Sequence, residues 1–489
     1  MNSPLRRLSV VMLVMFFALM GSATYVQFVQ ADSLNADARN VRTLYQDYGR
    51  DRGPIVVNGE AIALSEPVDD AFGFQRVYTE GPLYAPVTGW YGMYQMSGLE
   101  RARHSVLNGT DDSLLLARIR ALFTGAENEG GSVELTIDPA AQQAAWDALD
   151  GRNGAAVAID PSTGAILAMV SSPSYDPNDL AAHTSAEVDA AYAELLEDPD
   201  NPLFNRAIAG DLYAPGSSFK LIDLAMLLES GDYEPDTMVP APTEYLLPGT
   251  QDTYIRNPGG AACGSGGEAT LEYALQVSCN TPFAMLAVEH GQEALAEQAE
   301  AFGFGQRLNI PLTVTPSVFG EDLDDAQLAM SAIGQFDVRT TPLQMAMVSA
   351  AVANDGELMT PYLVATERGP DLQVTRQADP SVFSEPISPE TAATMTEMMV
   401  NVVDNGTGQN ARISGVQVAG KTGTAETGVE GPEGVVAPNA WFTAFAPADD
   451  PQVAVAVMLE GDEQLGAAGT GGTVAAPVAR EIIEAVLQG

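Results

Sequence analysis

Lysine is nearly absent from this 489-residue chain: of 22 basic side chains only two are lysines, Lys220 and Lys421. Bases of any kind are scarce against 65 acidic residues, and the net charge is -43. Such a surface repels phosphate, which excludes nucleic acid as a partner and makes phosphate tracking untenable. The acidic excess itself reads as surface solubility rather than cation binding. Histidine is equally sparse. His104, His183 and His290 lie far apart with no partner at ligand spacing, so neither a zinc site nor a Ser-His-Asp triad is visible, and each reads as structural. A nucleophile here needs a different base, and lysine is the remaining candidate. The two cysteines, Cys263 and Cys279, are sixteen positions apart.

Leu8 to Val29 is almost uncharged and follows Arg6 and Arg7. At 1.5 Å per residue it spans about 33 Å, enough to cross a bilayer. The preceding arginines favour a cytoplasmic N-terminus, with residues 1–7 as a short tail and 8–29 as an anchor. The alternative is a cleaved signal peptide, because small residues Gly21, Ser22 and Ala23 follow the most apolar part. Either way the remainder is exported, where ATP is absent and disulfides are permitted. A Cys263–Cys279 bond would close a loop worth about 3 kcal/mol in the chain-entropy model. Two free buried thiols are the alternative.

Residues 30–131 read as a small mixed unit, with a polar, glycine-containing linker at Thr124 to Ser132. Beyond it, Val133 to Ile137 is expected as a strand and Pro139 to Leu149 as a helix with proline in its first turn. Gly154 to Ile159 and Ala165 to Ser171 form an expected hairpin about Asp160-Pro161-Ser162-Thr163-Gly164. Val416 to Lys421, Ala440 to Ala446 and Val453 to Glu460 supply three later strands, and Val474 to Leu487 a closing helix. Between them, Asp179 to Asn410 reads as largely helical. Strands at both ends predict an α/β (α+β) fold: one sheet assembled from distant segments, packed by helices, with a helical insertion to one side and a cleft between.

Both lysines sit in chemically suggestive surroundings. Tyr213-Ala214-Pro215-Gly216 breaks the chain before Ser217, and Phe219 to Leu228 has helical composition. Ser217 is therefore expected at a helix N-terminus, with Lys220 at i+3 on the same face and Ser218 pointing elsewhere. The helix dipole favours an alkoxide or oxyanion there. To act as a base Lys220 must be neutral, which requires burial or a nearby cation, and Lys421 would provide the cation. Ser278-Cys279-Asn280 offers a proton-relaying hydroxyl and a peptide-binding amide. Lys421-Thr422-Gly423-Thr424 aligns an amine, two hydroxyls and a glycine along a strand, suited to docking a carboxylate and an extended backbone. Gly415 to Thr422 also fits the phosphate-loop pattern, but a phosphate loop needs a helix after it, and Gly423 to Pro438 reads as loop.

Ser217-x-x-Lys220, Ser278-x-Asn280 and Lys421-Thr422-Gly423, in this order, resemble the triple signature of penicillin-binding proteins and serine β-lactamases. Leu135-Thr136-Ile137-Asp138-Pro139, Val157 to Met169, Ala332-Ile333-Gly334-Gln335 and Thr341 to Ala346 look like flanking segments of that transpeptidase domain, which the resemblance extends over 132–489. Arg52-Gly53-Pro54-Ile55 and Gly98-Leu99-Glu100 carry it into the N-terminal unit. The chain most resembles a monofunctional class B penicillin-binding protein of the short actinobacterial kind.

The resemblance implies a penicillin-binding, β-lactamase-like fold and a D,D-transpeptidase on the outer side of a cell membrane. Ser217, activated by Lys220, would attack the D-Ala-D-Ala carbonyl of a peptidoglycan stem peptide, and Ser278 would protonate the leaving D-alanine. Asn280 would bind the donor amide. Lys421, Thr422 and Thr424 would bind the carboxylate beside Gly423, with the backbone N–H groups of Ser217 and Thr424 as oxyanion hole. β-Lactams would stop at the acyl-enzyme. No metal or organic cofactor is implied, and the implied partner is a SEDS-type membrane glycosyltransferase. A D,D-carboxypeptidase or β-lactamase differs only in letting water deacylate; a β-lactam sensor or a wall scaffold are the readings outside catalysis of cross-linking.

Overall fold

The computed structural model describes residues 2–30, 48–93, 95–114, 129–210, 212–308, 310–427, 438–461 and 469–489. Most of the expected linker, Thr124 to Ser132, lies outside the described residues, as does most of the loop expected before Pro438.

Five strands form one antiparallel sheet in the spatial order Ala419–Ala425, Asn439–Ala446, Val453–Leu459, Gly154–Ile159, Ile166–Ser172. Early and late segments meet where Val453–Leu459 pairs with Gly154–Ile159. These strands read as nearly continuous apolar runs because both faces are covered. Successive side chains go to opposite faces. Ala156, Ala158, Val455 and Val457 pack under the helices Pro139–Leu149 and Ala476–Gln488. Val157, Ala454, Ala456 and Met458 join the larger core beneath the helix Pro342–Ala353, which is buried nearly all round. Each fully buried Val or Ile contributes roughly 1.5–3 kcal/mol. Caps fix the helix entries: Asp138 accepts from Ala141 N with Pro139 in the first turn, and Thr341 accepts from Gln344 N.

A second sheet of six strands runs Val374–Gln377, Val364–Arg368, Ser132–Leu135, Ile55–Val57, Glu60–Pro67, Phe74–Tyr78. Ser132–Leu135 pairs in parallel with Ile55–Val57 and antiparallel with Val364–Arg368, so this sheet draws on chain from both sides of residue 132. Against it lies a buried ionic triad: Arg52 Nε and Arg76 Nε each meet a Glu100 carboxylate oxygen at 2.6 Å. The Arg52 and Glu100 singled out in sequence are thus partners.

The block from Asp179 to Asn410 is largely helical and also holds short antiparallel pairs, among them Met238–Pro240 with Glu268–Thr270 and Glu244–Leu246 with Tyr254–Arg256. Three-residue strands are too short to show a period. The strand expected at Val416 begins instead at Ala419. Gly415, at φ +82°, closes a turn that bridges Ile413 to Val416, so Val416 ends a turn and does not open the ladder.

At the N-terminus, Asn2–Thr24 is an α-helix continued by a π-turn, Tyr25–Val29. Pro4–Phe28 is apolar enough and long enough to cross a membrane, and among the described residues none packs over it to bury it.

Candidate active site

Ser217 lies in a 3-10 turn, Gly216–Phe219, that feeds the helix Lys220–Glu229. The expected helix N-terminus is therefore a tighter turn, in which positions i and i+3 eclipse. Pro215 and Gly216, the latter at φ +53°, start the turn. A Cβ on Gly216 would strike the Thr424 carbonyl, and one on Gly423 would lie 2.6 Å from Pro215 O and 3.1 Å from Ser218 N. Two glycines thus let the serine turn sit directly against the edge strand Ala419–Ala425. The neighbouring serines separate cleanly. Ser218 is fully buried and its Oγ donates to Pro215 O at 2.7 Å, whereas Ser217 is half-buried.

The two lysines converge on Ser278. Lys220 Nζ donates to Ser278 O at 2.9 Å and to Asn280 Oδ1 at 2.7 Å. Lys421 Nζ donates to Ser278 Oγ at 2.9 Å and to Thr422 O at 2.8 Å. Both lysines are fully buried. Burial, then the Lys421 charge, hold the Lys220 amine well below its ordinary value, while Asp223 pulls it back up. Burial brings Lys421 down to about 7. Two buried ammonium groups converging on one serine, Lys220 on its carbonyl and Lys421 on its hydroxyl, are costly, so one amine is readily free to accept a proton.

Ser278 adopts φ +60°, a left-handed conformation unusual for serine. It follows the helix Leu271–Gln276, and the bend is held by Ser278 N to Leu275 O and Cys279 N to Ala274 O. Cys279 forms a disulfide with Cys263. Asn280 then precedes the helix Thr281–His290, with its Nδ2 donating to Arg256 O at 2.7 Å.

Lys421, Thr422, Gly423 and Thr424 all lie inside one edge strand, paired on one side only, with Asn439–Ala446. Lys421 Nζ reaches the Ser278 hydroxyl, while the Thr422 hydroxyl meets that of Thr407. Since Lys421 and Thr422 stand within a strand, no loop cradles a phosphate there.

Sequence reasoning missed three contributors. Asn257 Oδ1 accepts from the backbone N–H groups of Asn280 and Thr281 at 2.9 and 3.1 Å, fixing the serine–asparagine segment. Thr407 Oγ1 lies 2.7 Å from Thr422 Oγ1. Asp223, fully buried, stands one turn beyond Lys220. The first two act from 23 and 15 positions away, at no helix or strand spacing, so the sequence carries no signal for them. The i+3 offset from Lys220 was the available signal for Asp223.

The family model of the penicillin-binding protein transpeptidase domain matches residues 154–484, and that of the penicillin-binding protein A dimerisation domain matches 52–133. The peptidoglycan D,D-transpeptidase PbpA of Mycolicibacterium smegmatis is 46% identical over 496 aligned positions, covering 100% of this chain and 99% of that protein. PbpA of Mycobacterium tuberculosis is 44% identical, with full coverage of both. A ceftriaxone acyl-enzyme complex of penicillin-binding protein A from M. tuberculosis superposes with a TM-score of 0.86 at 42% identity, over 91% of this chain and 100% of that one. Its penicillin G acyl-enzyme complex gives 0.84 at 44% identity, over 90% and 100%. The fold, the order of the motifs and these full-length relationships agree: the chain belongs to the penicillin-binding transpeptidase family of serine acyltransferases.

Proposed function

We propose that this chain is a peptidoglycan D,D-transpeptidase that works through an ester on Ser217 and is covalently inhibited by β-lactams. The observation that carries this reading is the convergence of Lys220 and Lys421 on the two oxygens of Ser278, beside a half-buried Ser217. Ser217 Oγ attacks the penultimate D-alanine carbonyl of a donor stem peptide while its proton passes to Lys220. The tetrahedral oxyanion is held by the N–H groups of Ser217 and Thr424. The C–N bond then breaks, and Ser278, resupplied by Lys421, gives the departing D-alanine amine its proton. An amine from a neighbouring stem peptide attacks the ester, restoring Ser217 and forming the cross-link. Asn280 aligns the donor amide; Lys421, Thr422 and Thr424 receive the terminal carboxylate, and Gly423 keeps the strand close enough for them to do so. In a β-lactam the leaving amine stays tethered, so the ester persists.

The helix Asn2–Thr24 is the single-pass anchor, with Arg6 and Arg7 on the cytoplasmic side and the catalytic unit, 132–489, outside. Residues 30–131 form the non-catalytic unit through which a SEDS-type glycosyltransferase docks. Incubating the soluble chain from about Ala31 onward with penicillin tests the catalytic reading by intact mass and peptide mapping. One stoichiometric, slowly hydrolysed adduct on Ser217 is expected. A rapidly turning-over adduct makes the chain a β-lactamase, and no adduct on folded protein leaves a scaffold.

A further inference from the structure

Asn280, which aligns the donor amide in the reading above, is braced by a hairpin that the mechanism does not use. The strands Glu244–Leu246 and Tyr254–Arg256 pair antiparallel, with Glu244 opposite Arg256 and Leu246 opposite Tyr254. The base of the hairpin is fastened to the asparagine segment. Asn280 Nδ2 donates to Arg256 O at 2.7 Å, Thr281 Oγ1 donates to Pro242 O at 2.7 Å, and Asn257 Oδ1 accepts from the N–H groups of Asn280 and Thr281. Successive side chains alternate across a strand. Tyr245 and Ile255 therefore join the core, while Glu244, Leu246, Tyr254 and Arg256 stand together on the other, exposed face.

That face carries a cation with hydrogen bonds to spare. Arg256 Nε donates to Glu244 Oε2 at 3.2 Å, and among the described residues its two Nη groups have no hydrogen-bond partner. The guanidinium lies 5.9 Å from the centre of the Tyr254 ring. Both members of the ion pair are exposed, so water screens it and it adds little to folding. Glu244 occupies Nε and leaves the two ends of the fork, which can grip a carboxylate through parallel hydrogen bonds. Charge argues in the same direction. With 65 acidic residues against 22 basic, and both lysines buried in the chemistry, the chain repels an anionic peptide unless a cation meets it at the site.

Resting on the reading of Asn280 as the donor-amide ligand, we propose that this hairpin is an upstream subsite for the donor stem peptide. Arg256 grips a side-chain carboxylate on the segment N-terminal to the held amide, and Leu246 and Tyr254 receive the aliphatic chain that bears it. An extended peptide advances about 3.3 Å per residue, so the guanidinium, whose own backbone carbonyl holds Asn280, meets the peptide about one or two residues beyond that amide. The donor is thereby held along its length, from its terminal carboxylate at Lys421, Thr422 and Thr424, through its amide at Asn280, to its acidic side chain at Arg256. A stem peptide whose side-chain carboxylate is masked as an amide loses the last of these contacts and becomes a poorer donor.

The test uses the soluble chain and two penicillins that differ only at the end of the acyl side chain, a carboxylate in one and its carboxamide in the other. Intact mass follows acylation of Ser217, and the ratio of the two second-order rate constants cancels the ring carboxylate common to both. Wild type should favour the carboxylate by about tenfold, the lower end of what a hydrogen bond to a charged group supplies. Added salt should shrink that preference. Arg256→Gln should abolish it while reacting at the wild-type rate with penicillin G, whose side chain is uncharged. Arg256→Lys should keep part of it, as a point charge without the fork. Equal rates for both penicillins in wild type overturn the proposal, as does a preference that survives in folded Arg256→Gln, or a variant that slows with all three penicillins alike. If circular dichroism shows Arg256→Gln unfolded, salt decides: a wild-type preference that salt removes supports the subsite, and one that salt leaves unchanged overturns it. Wild-type protein that acquires no adduct on Ser217 would instead remove the underlying reading of the site.

Discussion

Ser217 and Ser218 are adjacent, identical in chemistry and opposite in environment. One is half-exposed in the turn that packs against the strand of Lys421; the other spends its hydroxyl on Pro215 O within the core. Ser217→Ala should abolish the penicillin adduct with little change in melting temperature. Ser218→Ala should keep the adduct and cost about 1 kcal/mol, the worth of an ordinary hydrogen bond. Intact mass and thermal melts separate the two outcomes, and an adduct surviving on Ser217→Ala would reassign the nucleophile. Lys421 makes a second prediction through linkage. Burial depresses it from 10.5 to about 7 in the folded chain. Between those values the unfolded chain binds the extra proton, so stability rises with pH from about 7 upward and is lower below it. Urea unfolding at pH 7 and 9 should show this slope, at most about 1.4 kcal/mol per pH unit for one group. Lys421→Met should flatten it; an unchanged slope would mean that Lys421 is not depressed.

Elements bring these side chains together through close backbone approach. Gly423 carries no special dihedral; what it lacks is a Cβ that would press on Pro215 O, Trp441 Cβ and Ser218 N. Gly423→Ala should push the edge strand away from the serine turn, costing about 1–3 kcal/mol as overpacking does. Acylation should slow by more than the stability loss accounts for, because Thr424 moves with the strand. Acylation at the wild-type rate would show that the strand and turn tolerate separation. The disulfide works on the opposite wall. Cys263–Cys279 closes a sixteen-residue separation around the strand Glu268–Thr270 and the helix Leu271–Gln276, one residue from Ser278. Replacing both cysteines with serine should cost about 3 kcal/mol. Thiol reagent should find nothing to label in the unreduced, unfolded chain; two reactive thiols would refute the bond.

The whole molecule is tied at places remote from the chemistry. Arg52, Arg76 and Glu100 form a buried triad in which burial would raise the Glu100 carboxyl, yet the two guanidiniums hold it below its usual value. Its contribution is present above the unfolded carboxylate range and is lost as pH falls through the depressed folded value. Glu100→Gln leaves two guanidiniums facing a neutral amide and should destabilise by roughly 3–5 kcal/mol. The measurement is a melting curve alongside Ser217 labelling at low temperature: stability should fall while labelling of the folded fraction stays unchanged. A coupled loss of labelling would mean that this region reaches the catalytic site.

What the sequence determined by itself was whatever rests on local chemistry or on composition. The triple motif, the proline and aspartate helix starts, the apolar strands at both chain ends and the scarcity of lysine were all readable, because each depends on residues close in sequence or on counts. Val416 to Val418 were read as strand because apolar alternation does not distinguish a ladder from the end of a tight turn. Asn257 and Thr407 were invisible because they reach the motifs through tertiary packing, 23 and 15 positions away at no helix or strand spacing. Only the tertiary structure decided that Lys220 and Lys421, 201 positions apart, are buried on either side of Ser278. That burial removes their hydration and sets their proton affinity. No short segment could do so, since desolvation belongs to the packed surroundings and not to the side chain.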